Sequence, residues 1–251
     1  MCAPVQSDDV VQTLDRALAD IAQSRAYNEW LFDRIGSGLG PRVVDVGAGV
    51  GTFAELAARA GATVTAVEPE PQFAAYLRER FARSDAVSVV EATVDALPAS
   101  AFDSAICFNV LEHIADDVGA LQAIRRALAP RGRLFLLVPA HQFLYGGYDR
   151  AAGHVRRYSK TSLRRSLTSA GFELERLRYV NPVGALGWLA RVRFAARGEW
   201  PSRSFAAFDR LVPLLRWLDA VPMPFGLSLW AVAVRPSVSA TEAENADEQR
   251  E

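Results

Sequence analysis

From Asp8 to Gly36, apolar residues recur at helical spacing: Val11, Leu14, Leu18 and Ile21, then Trp30, Leu31 and Ile35. This predicts two amphipathic helices ahead of the first strand. The period then changes. Arg42–Val46, Thr63–Val67 and Val87–Glu91 are short strand-like runs. Helical patterns at Thr52–Ala60 and Glu70–Arg83 separate them, and Gly61 stops the first of these. Ser104–Phe108, Asp117–Ala129 and Arg133–Val138 repeat strand, helix and strand, with Pro130 and Gly132 marking the helix end. Strands alternating with helices of this length predict an α/β fold, a parallel sheet with helices on both faces.

The second half departs from this rhythm. Phe143–Tyr158 is rich in Gly, Tyr and Arg and has the composition of a functional loop. Thr161–Ala170 is a predicted helix ended by Gly171, and Phe172–Tyr179 a strand. Asn181–Pro224 mixes Trp188, Trp200 and Trp217 with prolines and arginines before a last strand, Leu227–Val234. The expected organisation is a helical lid (residues 1–38), an α/β core (39–180), an aromatic and basic insertion covering the site (181–224), the last core strand (225–235) and a disordered acidic tail (236–251).

Composition narrows the function classes. The chain has 251 residues, 50% of them hydrophobic and 23% charged, which excludes wholesale disorder. The longest charge-free apolar stretch near the C-terminus, Ala220 to Val234, has 15 residues and contains Pro222 and Pro224, too short and too broken to span a bilayer. Asp8 and Asp9 stand where a signal peptide would be basic and then apolar. Cys2 and Cys107 form no C-x-x-C pair or disulfide framework, so a cytoplasmic setting is expected. Lys160 is the one Lys among 28 basic residues, a codon bias that suggests a bacterial source. The net charge of −1 hides an asymmetry: residues 1–149 carry 12 basic and 19 acidic groups, residues 150–235 carry 15 and 5. Such a basic block either solvates helix faces or favours an anionic partner, whether a small substrate, a nucleic acid or a membrane surface.

The chemistry is concentrated in Val43-Val44-Asp45-Val46-Gly47-Ala48-Gly49-Val50-Gly51-Thr52-Phe53, a strand running into a glycine turn and then a helix. Glycines 47, 49 and 51 admit a sharp turn and close ligand approach, and the helix N-terminus offers free N–H groups. Glu68, 21 residues beyond Gly47 and followed by Pro69, ends the next strand where a carboxylate can accept both ribose hydroxyls. A dinucleotide fold would read G-x-G-x-x-G; here an acid inside the strand precedes an evenly spaced glycine trio.

This string resembles the first motif of the class I S-adenosylmethionine-dependent methyltransferases. Val94-Asp95-Ala96-Leu97-Pro98, Asn109-Val110-Leu111-Glu112-His113-Ile114 and Leu128-Ala129-Pro130-Arg131-Gly132-Arg133-Leu134 follow in that family's order, so the resemblance runs from about Tyr27 to Phe172. It implies a Rossmann-like, doubly wound, mostly parallel seven-stranded sheet, with S-adenosylmethionine as cofactor and S-adenosylhomocysteine as product. Asp45, Gly47, Ala48, Gly49 and Gly51 would hold the methionine part, and Glu68 with Pro69 the ribose. The adenine would meet either Thr93 or Asp95, with the Val94 backbone at the ring edge. Asn109, Val110 and His113 would line the cofactor, with Tyr27 closing over it.

The loop after the fifth strand resembles that of bacterial small-molecule methyltransferases, with Tyr145, Asp149, His154, Arg157 and Tyr158 in a Tyr-Gly…Asp…Gly-His…Arg-Tyr arrangement and His141 ahead of them. Two readings stand. Either His154 and Asp149 activate an acceptor that Tyr145, His141, Tyr158 and the Arg157 clamp hold, or Asp149 pairs with Arg157 to stiffen the loop. His113 is likewise either a base or a packing residue. The expected activity is methyl transfer to a small or lipid-like, anionic acceptor, at oxygen in preference to nitrogen, without a metal. The alternatives are a catalytically silent cofactor-binding regulator and a nucleic-acid methyltransferase. The last lacks the Asn-Pro-Pro-Tyr and Pro-Cys motifs of the DNA enzymes. Peripheral membrane contact by the aromatic insertion fits the composition.

Overall fold

The computed structural model describes residues 24–194 and 223–237, together with residues 212 and 216. Its elements are α1 (Arg25–Asp33), β1 (Arg42–Val46), α2 (Thr52–Arg59), β2 (Thr63–Val67), α3 (Pro71–Arg80), β3 (Val87–Val90), β4 (Phe102–Phe108), α4 (Asp117–Ala127), β5 (Leu128–Pro139), α5 (Gly147–Ala151), α6 (Lys160–Ser169), β6 (Glu173–Val180), α7 (Pro182–Phe194) and β7 (Ser228–Val234). The seven strands form one sheet in the order β3-β2-β1-β4-β5-β7-β6. The first five run parallel, and β7 is antiparallel to both β5 and β6.

Alternation along the strands feeds two cores, because successive side chains point to opposite faces. Val43, Ile106, Phe108, Phe135, Leu137 and Trp230 pack on one face with Leu31 and Ile35 and with Ala54 and Ala57 of α2. Val44, Cys107, Leu134, Leu136 and Val138 pack on the other with Leu121 and Ile124 of α4 and Leu163 and Leu167 of α6. Capping fixes two helix starts: Asp116 accepts the Gly119 N–H for α4, and Ser159 accepts the Ser162 N–H for α6. The strand order reverses between β1 and β4, which opens a crevice beyond their carboxyl ends, where ligands bind in sheets of this kind.

Three expectations change. The fifth strand is longer than Arg133–Val138: it begins at Leu128, opposite Phe102 on β4, and ends at Pro139, opposite Ser228 on β7. The glycine-rich loop is partly helical, with a single 3-10 turn at Gln142–Leu144 followed by α5. The insertion opens with α7, in which the chain crosses back over that turn. The earlier N-terminal helix, Trp200, Trp217 and the tail beyond residue 237 lie outside the described residues. Among the described residues, no helix is long and apolar enough to cross a membrane.

Candidate active site

The glycine turn leaves β1 at the crevice. Gly47 has φ 66°, and a Cβ there would stand 2.5 Å from Val110 Cγ2, so both conformation and the neighbouring β4 loop demand glycine. Gly51, with φ 81°, would likewise meet Phe81 and Leu77. The turn is pinned to β2 by Gly47 and Ala48 N–H groups, both donated to the Val67 carbonyl. Glu68, at the end of β2, accepts the Gly49 N–H at 2.8 Å and the Glu70 N–H at 3.1 Å. Burial pushes its carboxyl up from the ordinary value. Pro69 beside it is exposed.

Asp45 is 3% exposed, and its Oδ2 has no partner among the described residues. Burial pushes its carboxyl up to about 7, against the pull of the Ala54 N–H and with the Glu68 charge adding to the rise. A buried carboxylate oxygen without a donor, beside a glycine turn and a ribose-competent glutamate, suits a ligand that brings its own ammonium group. S-adenosylmethionine has that group and two ribose hydroxyls, so the residues present fit it. Thr93 and Asp95 are exposed, and Val94 between them is buried in a 3-10 turn, which leaves either as the adenine partner. The Tyr27 hydroxyl meets the Asn181 side chain, and its ring lies 5.6 Å from Trp30.

Replacing Glu68 with alanine removes charge-assisted hydrogen bonds worth about 1.5–3 kcal/mol, so cofactor affinity should fall roughly 10- to 150-fold. Calorimetric titration with S-adenosylhomocysteine reads this, and an unchanged affinity would mean that another acid binds the ribose.

Beyond β4, Asn109 takes φ 55° and the chain makes a 3-10 turn through Leu111–His113. The His113 and His154 rings meet edge to face at 4.6 Å. Burial, and then the neighbouring His154, push His113 down to about 4, while one ring N–H is donated to the Gly153 carbonyl. His113 is therefore neutral near pH 7. His154 Nδ1 bonds Asp149 Oδ1 at 2.9 Å and its Nε2 lies 4.0 Å from Glu112 Oε1, with 12% of the side chain exposed.

The loop residues divide into two groups. Asp149 is fully buried and accepts from His154, from the Gly146 N–H, and from Arg157 through Nε at 2.7 Å and Nη2 at 3.1 Å. Burial works to raise its carboxyl, but the bonds from His154 and Arg157 hold it below the ordinary carboxylate range. Arg157 is buried, and its guanidinium also stacks 4.6 Å from the Trp188 ring centroid. With its charge matched and its face covered, Arg157 is not placed to clamp a substrate carboxylate; it stiffens the loop. Tyr158 is 1% exposed, and its hydroxyl is donated to Asp117 Oδ2 at 3.0 Å. It belongs to the core and not to a substrate surface, because a phenol and a partner this deeply buried satisfy each other. Tyr145 donates its hydroxyl to the His154 carbonyl at 2.7 Å, fixing the loop around the imidazole. His141, half-buried with φ 66°, stacks on Tyr179 at 4.8 Å.

Sequence reasoning missed Glu112 as a site residue, although it stands inside the Leu-Glu-His string. It is fully buried, and neither carboxylate oxygen has a partner among the described residues. Burial pushes it up to about 8. The native chain thus keeps a proton between about pH 4.5 and 8 that the unfolded chain has lost, so stability falls as pH rises through that window. Asp45 adds to the fall with the same sign. Glu112→Gln should remove its share: chemical denaturation at pH 5 and pH 8 should show the variant gaining on the parent at the higher pH, and a constant difference would refute the buried neutral acid. Glu112, His113 and His154 each bring a ligand atom within 4.8 Å of the others.

Comparison with known proteins agrees with this geometry. Residues 11–177 match the methyltransferase domain family. The ubiquinone biosynthesis O-methyltransferase of Xanthomonas oryzae pv. oryzae is 38% identical over 101 residues, which is 39% of this chain and 42% of that protein, so the match spans less than half of the relative. A chain of the complex between the Haloferax volcanii Trm112 methyltransferase activator and a methyltransferase superposes with a TM-score of 0.65 at 18% identity, covering 92% of this chain and 99% of that one. Phosphoethanolamine N-methyltransferase 2 of Haemonchus contortus, in complex with S-adenosyl-L-methionine, gives 0.61 at 20% identity, covering 84% and 52%. At these identities the structures speak for the fold, and the family match covers well over half of the chain. The chain belongs to the methyltransferase domain family and has the class I S-adenosylmethionine-dependent methyltransferase fold.

Proposed function

We propose that this chain transfers a methyl group from S-adenosylmethionine to a hydroxyl oxygen of a small or lipid-like acceptor, with His154 as general base and Asp149 orienting it. The observation that carries this reading is the Asp149–His154 pair at the carboxyl end of the sheet. Asp149 accepts the Nδ1 proton, so the lone pair of a neutral ring lies on Nε2, the nitrogen left for an acceptor proton. When bound, S-adenosylmethionine supplies an electrophilic methyl group on a sulfonium. His154 takes the proton as the acceptor oxygen attacks, and the buried Asp149 charge stabilises the resulting imidazolium. Glu112, held neutral near pH 7, places no competing charge against Nε2. His113 walls the base in and excludes water.

Oxygen is favoured over nitrogen by the likeness to the ubiquinone biosynthesis O-methyltransferases of Xanthomonas. A lipid-like acceptor is supported by apolar side chains that solvent reaches on the turn and helix flanking the loop. Phe143 is 72% exposed, Leu186 57% and Leu189 42%, and Trp188 Nε1 ties α7 to the Leu144 carbonyl between them. The anionic acceptor loses its expected anchor, since Arg157 is committed to Asp149. Incubation with methyl-labelled cofactor and separate aqueous and lipid extracts of a bacterial lysate tests the reading. Label should enter the organic phase in an alkali-stable ether, whereas cofactor binding without any transfer would favour a silent regulator. An imidazole base needs no metal, so turnover should survive dialysis against a chelator. Loss restored by a divalent ion would reassign Glu112, His113 and His154 as metal ligands.

A further inference from the structure

The edge of the sheet opposite the crevice carries a cavity of about 470 Å³ at the ends of α4, α6 and β7. Arg125, Arg126 and Arg235 line it with Gln122, Ser169 and Gly171, and among the described residues no carboxylate contributes to its wall. β7 is antiparallel, so Arg235 emerges beside the starts of β5 and β6, far along the strands from His154 and the glycine turn. We propose that this cavity is a second ligand site, which binds a phosphoryl dianion through the three guanidinium groups.

Two of the arginines are held in place by neutral acceptors. Arg235 Nη1 bonds Ser100 Oγ at 3.0 Å and also the Arg126 and Leu128 carbonyls, and Arg126 Nη2 bonds the Asp95 carbonyl at 2.8 Å. These contacts fix the side chains and cancel none of their charge. The Arg125 guanidinium forms no hydrogen bond or ion pair among the described residues. Its stem lies over Gly171, where a Cβ would approach Nε to 3.1 Å, and the φ of 80° there independently calls for glycine. The bare backbone at 171 thus leaves room for the guanidinium to lie against it.

Arg235 feels Arg125 as a like charge: its guanidinium is held below the ordinary value by burial and then by that neighbour. Adjacent guanidiniums without an acid between them are costly unless an anion is shared. The terminal carbonyls of α4 and α6 favour cations here, but they carry only partial charges and leave three full ones unmatched. A dianion with three or more acceptor oxygens answers this donor set, with the Gln122 amide and the Ser169 hydroxyl beside it. The cavity also exceeds what a bare phosphate fills, so there is room for an organic group. The site does not depend on the methyl-transfer reading, and it would make the sheet's far edge responsive to a phosphorylated metabolite or to free phosphate.

The test is titration of the full chain with inorganic phosphate and, separately, phenyl phosphate, at ionic strength held constant with chloride, followed by ³¹P line broadening and calorimetry. Saturable binding is expected, weakened at least about tenfold in Arg125→Gln by the loss of a charge-assisted bond. S-adenosylhomocysteine affinity should stay within about twofold, because the sites are well separated. Arg126→Gln, exposed in the last turn of α4, carries the same expectation for phosphate and serves if the first variant folds poorly. Tighter binding of phenyl phosphate would assign the site to a phosphorylated metabolite, and equal or weaker binding to free phosphate. Non-saturating signals indistinguishable from chloride, or undiminished phosphate affinity in both folded variants, would overturn the proposal.

Discussion

Replacing His154 with alanine is expected to lower turnover by about 10²–10⁴-fold, the usual contribution of a positioned base, with cofactor affinity within about a factor of two. The imidazole that is removed has one nitrogen committed to Asp149 and the other 4.0 Å from Glu112 Oε1. Steady-state rates combined with cofactor titration separate the two quantities. A loss below tenfold, with folding intact, would remove His154 as the base. His113→Ala is the matched comparison. Its ring packs against His154 and follows Val110, which touches the glycine turn, so cofactor binding should weaken together with rate. Abolished turnover at unchanged cofactor affinity in that variant would move the catalytic role to the end of β4.

Arg157→Met should act on stability, the second large effect. It strips a fully buried Asp149 of both its guanidinium donors and uncovers the Trp188 face. Breaking a buried pair from one side costs about 3–5 kcal/mol. For a chain of this size that lowers the melting temperature by roughly 6–20 °C. Cofactor binding and activity should fall together as the loop loosens. A variant that melts like the parent and loses only acceptor affinity would restore Arg157 as a substrate clamp.

The cofactor cradle was legible because its constraints are local. A strand followed by φ-positive turns needs glycine at 47 and 51, and an acid at the end of the next strand falls at a spacing set by one helix. The parallel order of β1 to β5 followed from alternating strand and helix patterns for the same reason. The loop after β5 was not legible in this way. Arg157 and Tyr158 lie in a glycine-rich polar stretch that reads as surface, yet their partners bury them: Asp117 is 41 positions from Tyr158 and Trp188 lies on a later helix. Glu112 escaped for the converse reason, since an acid beside a histidine at a strand end resembles a solvated pair until the packing of Val155 and His154 encloses it. The β5 and β7 boundaries were set by each other's length, which neither segment encodes alone.

The most direct measurement of the central claim is a paired calorimetric titration of the intact chain with S-adenosylmethionine and with a nicotinamide dinucleotide. Asp45 with its unpartnered Oδ2, the φ-positive Gly47 and Gly51, and Glu68 facing the turn make a cradle for an aminoacyl nucleoside with no pyrophosphate to wrap. Saturable binding of S-adenosylmethionine, with the dinucleotide weaker or undetectable, is the predicted result. Tighter binding of the dinucleotide would contradict it.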